Sequence, residues 1–101
     1  MNITTSINDN VASLGMSGRF EFSSHREFRD AYEALLSNDQ VIEIQLHMSQ
    51  IDYIDSAALG MLLIIREKAN IARKTVSLSS PSTAVKQVLE IANFEKLFAI
   101  C

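Results

Sequence analysis

Ile42-Glu43-Ile44-Gln45-Leu46-His47-Met48, followed after Ser49 to Ile54 by Asp55-Ser56-Ala57-Ala58-Leu59-Gly60-Met61-Leu62-Leu63-Ile64-Ile65, is the stretch on which the fold turns. In its first half Ile42, Ile44, Leu46 and Met48 alternate with Glu43, Gln45 and His47, a period of two that marks a strand with one buried and one wetter face. A strand buried on both faces would not alternate in this way. At Asp55-Ser56 the pattern changes to that of a helix running to about Ala72. At about 100° per residue, Ala58, Met61, Leu62, Ile65, Ala69 and Ala72 share one face, already a sufficient core stripe. Leu59, Leu63 and Ile64 fall off that stripe. They form a candidate exposed apolar patch of the kind that meets a partner, unless neighbouring helices cover them.

Working outward, Ile3–Ile7 and Val11–Met16 read as a hairpin around the turn residues Asn8, Asp9 and Asn10. The segment from Ser17 to Phe22 reads as a loop into Ser24-His25-Arg26-Glu27, whose Ser-x-x-Glu spacing matches a capping box. Phe28, Ala31, Tyr32, Leu35 and Leu36 then fall at helical spacing, predicting an amphipathic first helix. Beyond the second helix, Thr75–Leu78 reads as a strand and Ser80-Pro81 as a helix start with proline at the first position. Val85, Val88, Leu89 and Ala92 supply that third helix with a core stripe, and Phe94–Ile100 closes the chain against the core. Strands and helices alternate throughout, which predicts an α/β domain over residues 1–101 with no repeat or linker.

The whole-chain numbers bound the function. With 101 residues, 48% hydrophobic and 21% charged, the chain has material for one core. Twelve acidic against nine basic residues leave no Lys/Arg block to track phosphates, so nucleic acid and anionic membrane are not expected ligands. The longest apolar run, Ala57–Ile65, is about half of what a membrane helix requires. The N-terminal MNITTSIND has neither the basic start nor the apolar core of a secretory signal, and the single cysteine, Cys101, has no partner; both predict a cytoplasmic protein.

Ser56 stands at the start of the second helix. One reading makes it an N-cap, bonding free first-turn amides. The other makes it a phosphoacceptor: the positive end of a helix tolerates a phosphoryl group, whose charge beside an aliphatic surface alters what binds there. Asp52 and Asp55 would make such a site more anionic. The remaining chemistry-bearing residues point nowhere in particular. His25 and His47 have no ligand at metal spacing and read as solvated. Adjacent Asp55 and Ser56 cannot both flank one imidazole as a triad requires, and Gly15, Gly18 and Gly60 form no phosphate loop. Arg66, Glu67, Lys68, Arg73 and Lys74 read as the solvated end of the second helix.

The run from Ile42 through Tyr53-Ile54-Asp55-Ser56-Ala57-Ala58-Leu59-Gly60-Met61-Leu62-Leu63 resembles the central motif of the STAS domain (sulfate transporter and anti-sigma factor antagonist) family, in which an apolar strand leads into Asp-Ser and an aliphatic helix. The Gly18-Arg19-Phe20-Glu21 segment and the ending Pro81, Val85, Leu89 and Phe94-Glu95-Lys96-Leu97-Phe98 extend the resemblance over nearly the whole chain. It departs from the family pattern at Ala58, where glycine is usual, and at Glu21, where many relatives carry aspartate. The resemblance implies a small α/β fold, a mixed sheet of four to five strands with three to four helices mainly on one face. It also implies a regulator with no catalytic residue, cofactor or metal. In the stand-alone anti-sigma factor antagonists the serine matching Ser56 is phosphorylated by a serine kinase of the histidine-kinase-like ATPase fold and released by a metal-dependent serine phosphatase. The unphosphorylated form binds its regulator through positions that here are Glu21, Asp55, Ser56, Ala57, Leu59, Gly60, Leu63 and Ile64. The alternative within the family is a constitutive subunit of an ABC-type transporter complex, for which threonine in place of Ser56 is common.

Overall fold

The computed structural model describes residues 1–101. The chain begins with two antiparallel strands, β1 (Asn2–Asn8) and β2 (Val11–Phe20), joined by a tight turn in which Asp9 takes the left-handed conformation at φ 57°. There follow α1 (His25–Leu36), β3 (Glu43–Ile54), α2 (Ser56–Ile71), β4 (Thr75–Ser79), α3 (Thr83–Ile91) and the short β5 (Ala99–Ile100). The five strands form one sheet in the order β1-β2-β3-β4-β5, antiparallel at β1/β2 and parallel elsewhere. Ala12, Leu14 and Met16 of β2 and Ile44, Leu46 and Met48 of β3 project into a single core that also receives Phe28, Tyr32 and Leu35 of α1, Leu62 and Ile65 of α2, and Val85 and Leu89 of α3. This is the mixed sheet with helices on one face that the resemblance implies.

β3 is longer than its alternation indicates, because the period of two breaks twice. Gly15 pairs with His47 but Ser17 with Gln50, and Gly18 pairs with Ile51 but Arg19 with Tyr53, so β3 carries one extra residue at each step. Each bulge flips the phase of the strand. Burial therefore passes from Met48 to Ile51 and then Ile54, a spacing of three that no strand template matches. Gly18 accommodates the second bulge at φ 96°, a conformation costly for a side chain.

Several local expectations are corrected. Ser17–Phe20 is not a loop but the end of β2. Ser24 makes no capping box: a 3-10 turn at Phe22–Ser24 precedes α1, Ser24 already has helical dihedrals, and its hydroxyl donates to the Arg19 carbonyl at 3.1 Å. Ile42 lies outside β3 and is exposed, because the turn closed by the Val41 amide on the Asn38 carbonyl sends Val41 into the core instead. Ala72, past the end of α2, is exposed. Pro81 lies outside α3, whose N-cap is Ser82; its hydroxyl accepts from the Val85 amide at 3.4 Å and donates to the Ile51 carbonyl at 3.0 Å.

Lys74 is not solvated. α2 ends with Arg73 in the left-handed conformation, the Arg73 amide bonded to Asn70 and the Lys74 amide to Ala69, the pattern of a Schellman motif. The reversal carries Lys74 inward, where its ammonium donates to the Asn38 and Val41 carbonyls. It ties the α1–β3 connection to the end of α2.

Candidate functional site

The carboxyl ends of β2 and β3 lie side by side, with Arg19 paired to Tyr53 and Phe20 to Ile54. From there the two chains turn into α1 and α2, so Glu21-Phe22 and Asp55-Ser56 emerge next to each other. In open α/β sheets ligands bind outside the carboxyl ends of the strands. Asp55 holds the two turns together. Its Oδ1 accepts from the Ala58 amide at 2.8 Å as the N-cap of α2, and its Oδ2 accepts from the Phe22 amide at 3.3 Å. Its own amide donates to the Phe20 carbonyl at 3.3 Å.

Because Asp55 is the cap, Ser56 is the first residue inside α2 and its hydroxyl is free of that duty. Ser56 is exposed and makes no side-chain hydrogen bond within the chain. On the helix, Ser56, Leu59, Gly60 and Leu63 form one stripe at i, i+3, i+4 and i+7, opposite the core residues Ala58, Leu62 and Ile65. Leu63 is 40% exposed and Ile64, at the flank of the stripe, 50%. Leu59 is half-buried and packs against the core, so the apolar patch is narrower than three free aliphatics. Ala57 and Gly60 are half-buried, and a Cβ on Gly60 would meet nothing within 4 Å, which leaves the middle of the stripe low and open.

Glu21 lies at the same end but is engaged. Its carboxylate accepts from Arg19 Nε at 3.2 Å and from the Ser23 hydroxyl at 3.3 Å. The Arg19 guanidinium in turn lies 3.9 Å above the Tyr53 ring.

Two aromatic side chains at this end escape the sequence reading. Phe22 is 66% exposed and stacks on His25 at 5.4 Å, while Tyr53 is partly exposed beneath Arg19. Phe22 lies in a segment that reads as loop, and Tyr53 lies in the bulged part of β3, where no periodicity tells outward from inward. Below them a groove between α1 and α2 is lined by His25, Phe28, Arg29, Tyr32, Met61, Ile64 and Lys68. Lys68 closes it by donating to Glu33 at 3.1 Å across the helices. That hydrogen bond, with Tyr32 adding to it, holds the Lys68 ammonium above the ordinary lysine range.

Comparison with known proteins places the chain in a family and a fold. A family model described as Mlab, STAS domain matches residues 3–99. A STAS-domain containing protein of Pseudomonas aeruginosa (strain UCBPP-PA14) is 40% identical over 88 residues, covering 87% of this chain and 85% of that protein. Among solved structures, an anti-sigma factor antagonist from Mycobacterium paratuberculosis superposes with a TM-score of 0.86 at 16% identity, over 98% of this chain and 83% of that one. The unphosphorylated form of the anti-sigma factor antagonist SpoIIAA gives 0.82 at 13% identity, over 99% and 88%. Its phosphorylated form, described as the Bacillus cell fate determinant, gives 0.75 at 12%, over 99% and 91%. At such identities the structures speak for the fold, and the sequence matches speak for the lineage: this chain belongs to the STAS domain family.

Proposed function

We propose that the protein is a non-enzymatic regulator of the anti-sigma factor antagonist kind, acting in the cytoplasm, that changes binding partners with the phosphorylation of Ser56. The unphosphorylated form binds a serine kinase or anti-sigma-type regulator through Asp55, Ser56, Ala57, Leu59, Gly60, Leu63 and Ile64, with Glu21 at the margin. Phosphorylation by that kinase ends the binding, and a metal-dependent serine phosphatase restores it.

The observation that carries this reading is the free hydroxyl of Ser56, exposed at the first position of α2 while Asp55 performs the capping. A phosphoryl group there would displace no bond that the fold uses. It would add a charge of about −1.5 to −2 at the top of the stripe that ends in Leu63. The positive end of α2 offsets part of that charge for the folded chain. A partner that packs an apolar surface on Leu59 and Leu63 would instead have to desolvate it.

The experiment is a paired pull-down with Ser56→Ala and Ser56→Asp baits, together with mass spectrometry of the protein purified from its own cells. A kinase or regulator retained by Ser56→Ala and lost with Ser56→Asp, and phosphate at Ser56, are the expected results. Equal recovery of an ATP-binding cassette protein by both baits would overturn the switch in favour of a constitutive transporter subunit.

A further inference from the structure

The sheet has two edges, and they are treated differently. The β5 edge is two residues long, a common way of denying an edge to other chains. The β1 edge is seven residues long and pairs with β2 without interruption from Asn2/Ser17 to Asn8/Val11. Its sequence, NITTSIN, contains no charged residue and no proline, and no bulge turns it away. Every one of its residues except Ile3 is exposed. Such an edge offers a row of backbone donors and acceptors with none of the usual devices against pairing.

The side chains of β1 say what the edge pairs with. Read from either end, the strand is nearly the same: Asn2 corresponds to Asn8, Ile3 to Ile7, Thr4 to Ser6, and Thr5 to itself. Ile3, Thr5 and Ile7 pair with Met16, Leu14 and Ala12, all core residues, so these three lie on the helix side of the sheet. Asn2, Thr4, Ser6 and Asn8 lie on the open side. Ile7 is 48% exposed on the helix side.

We propose that β1 pairs antiparallel with β1 of a second copy of this chain, about a two-fold axis through Thr5, joining two five-stranded sheets into one continuous sheet. In this register Ile7 of each copy faces Ile3 of the other, Thr4 faces Ser6, Asn2 faces Asn8, and the two Thr5 side chains meet on the axis. Like falls opposite like on both faces, and aliphatic and Thr–Thr cross-strand pairs are favourable ones. A two-fold interface must be self-complementary, which is the property the strand displays. The antiparallel arrangement points β3 of the two copies in opposite directions. The two Ser56 sites therefore lie at opposite ends of the joint sheet and stay accessible, so the pairing stands or falls independently of the phosphorylation switch.

The test is the solution mass by analytical ultracentrifugation or light scattering over a dilution series, with Thr5→Lys and Thr5→Asp variants whose fold is checked by circular dichroism. The wild-type chain is expected to move with concentration from 11.3 kDa towards twice that mass. Each variant alone, with like charges on the axis, is expected to stay at 11.3 kDa, and an equimolar mixture of the two to recover the dimer. In a Cys101→Ser background, Thr5→Cys should form an oxidised cross-link. Asn8→Cys, whose two copies lie about 20 Å apart in this register at about 3.4 Å per residue, should not. A wild-type chain monomeric at all concentrations, a dimer indifferent to Thr5→Lys, or equal cross-linking at both positions would overturn the proposal. So would a monomeric wild type whose capture of the Ser56→Ala partner is lost with Thr5→Lys, which would give the edge to that partner instead.

Discussion

The amide of Phe22 donates to Oδ2 of Asp55 at 3.3 Å, across 33 positions of sequence, while Oδ1 of the same carboxylate caps α2 through Ala58 at 2.8 Å. One side chain thereby fixes the start of the helix that carries Ser56 and the turn that carries Glu21 and Phe22.

Asp55→Ala removes both bonds. Loss of an N-cap costs about 0.5–2 kcal/mol, and the Phe22 amide loses its acceptor as well. Thermal unfolding followed by circular dichroism should show a midpoint lowered by roughly 4–8 °C for each kcal/mol lost. An unchanged midpoint would mean that the cap is not set by Asp55.

Ser56→Ala should leave stability within about 0.5 kcal/mol of wild type, as for a surface position with no partner. Urea unfolding checks this. A loss as large as that of Asp55→Ala would return the capping role to Ser56 and withdraw the free hydroxyl on which the switch depends.

Leu63→Lys and Ile64→Lys place a charge on side chains that already meet water, so both proteins should fold with near wild-type stability. Calorimetric titration with the partner captured by Ser56→Ala should show affinity lowered at least about tenfold, or about 1.4 kcal/mol. Binding unaffected by Leu63→Lys would move the interface off the α2 stripe.

Lys74→Met fills a similar volume but leaves the buried Val41 carbonyl without a donor and the Asn38 carbonyl with the Val41 amide alone. Unsatisfied buried acceptors cost about 1–3 kcal/mol, so the urea midpoint should fall accordingly. Stability equal to wild type would show that water replaces the ammonium at those carbonyls.

What could be read from the sequence follows the reach of simple periodicity. Phe28, Tyr32 and Leu35 of α1, Ile44, Leu46 and Met48 of β3, and Met61, Leu62 and Ile65 of α2 are buried as their spacing indicates, because each set lies in a stretch with one unbroken period, in β3 the stretch ahead of its bulges. Ile51 and Ile54 obey no such period, since two bulges reset the strand, and Tyr53 was hidden with them. The choice between Asp55 and Ser56 as cap is a one-residue choice between two good capping residues, which composition cannot make. Ser24 and Pro81 carry helix-start signals that the chain spends on a 3-10 turn and on the approach to Ser82. Lys74 reads as solvent-facing because a lysine after a helix usually is; its inward course depends on the reversal at Arg73, which has no glycine to announce it.

The spatial order of the strands repeats their order along the chain. No strand has to be threaded between two others, so during synthesis each strand leaves the ribosome with its pairing neighbour already made. The sheet can grow at a single advancing front, from the hairpin through each βα step to the two residues of β5 that end it. The nascent chain then never has to break an established ladder to admit a later strand, and a chain cut after any helix lacks no strand from the middle of the sheet.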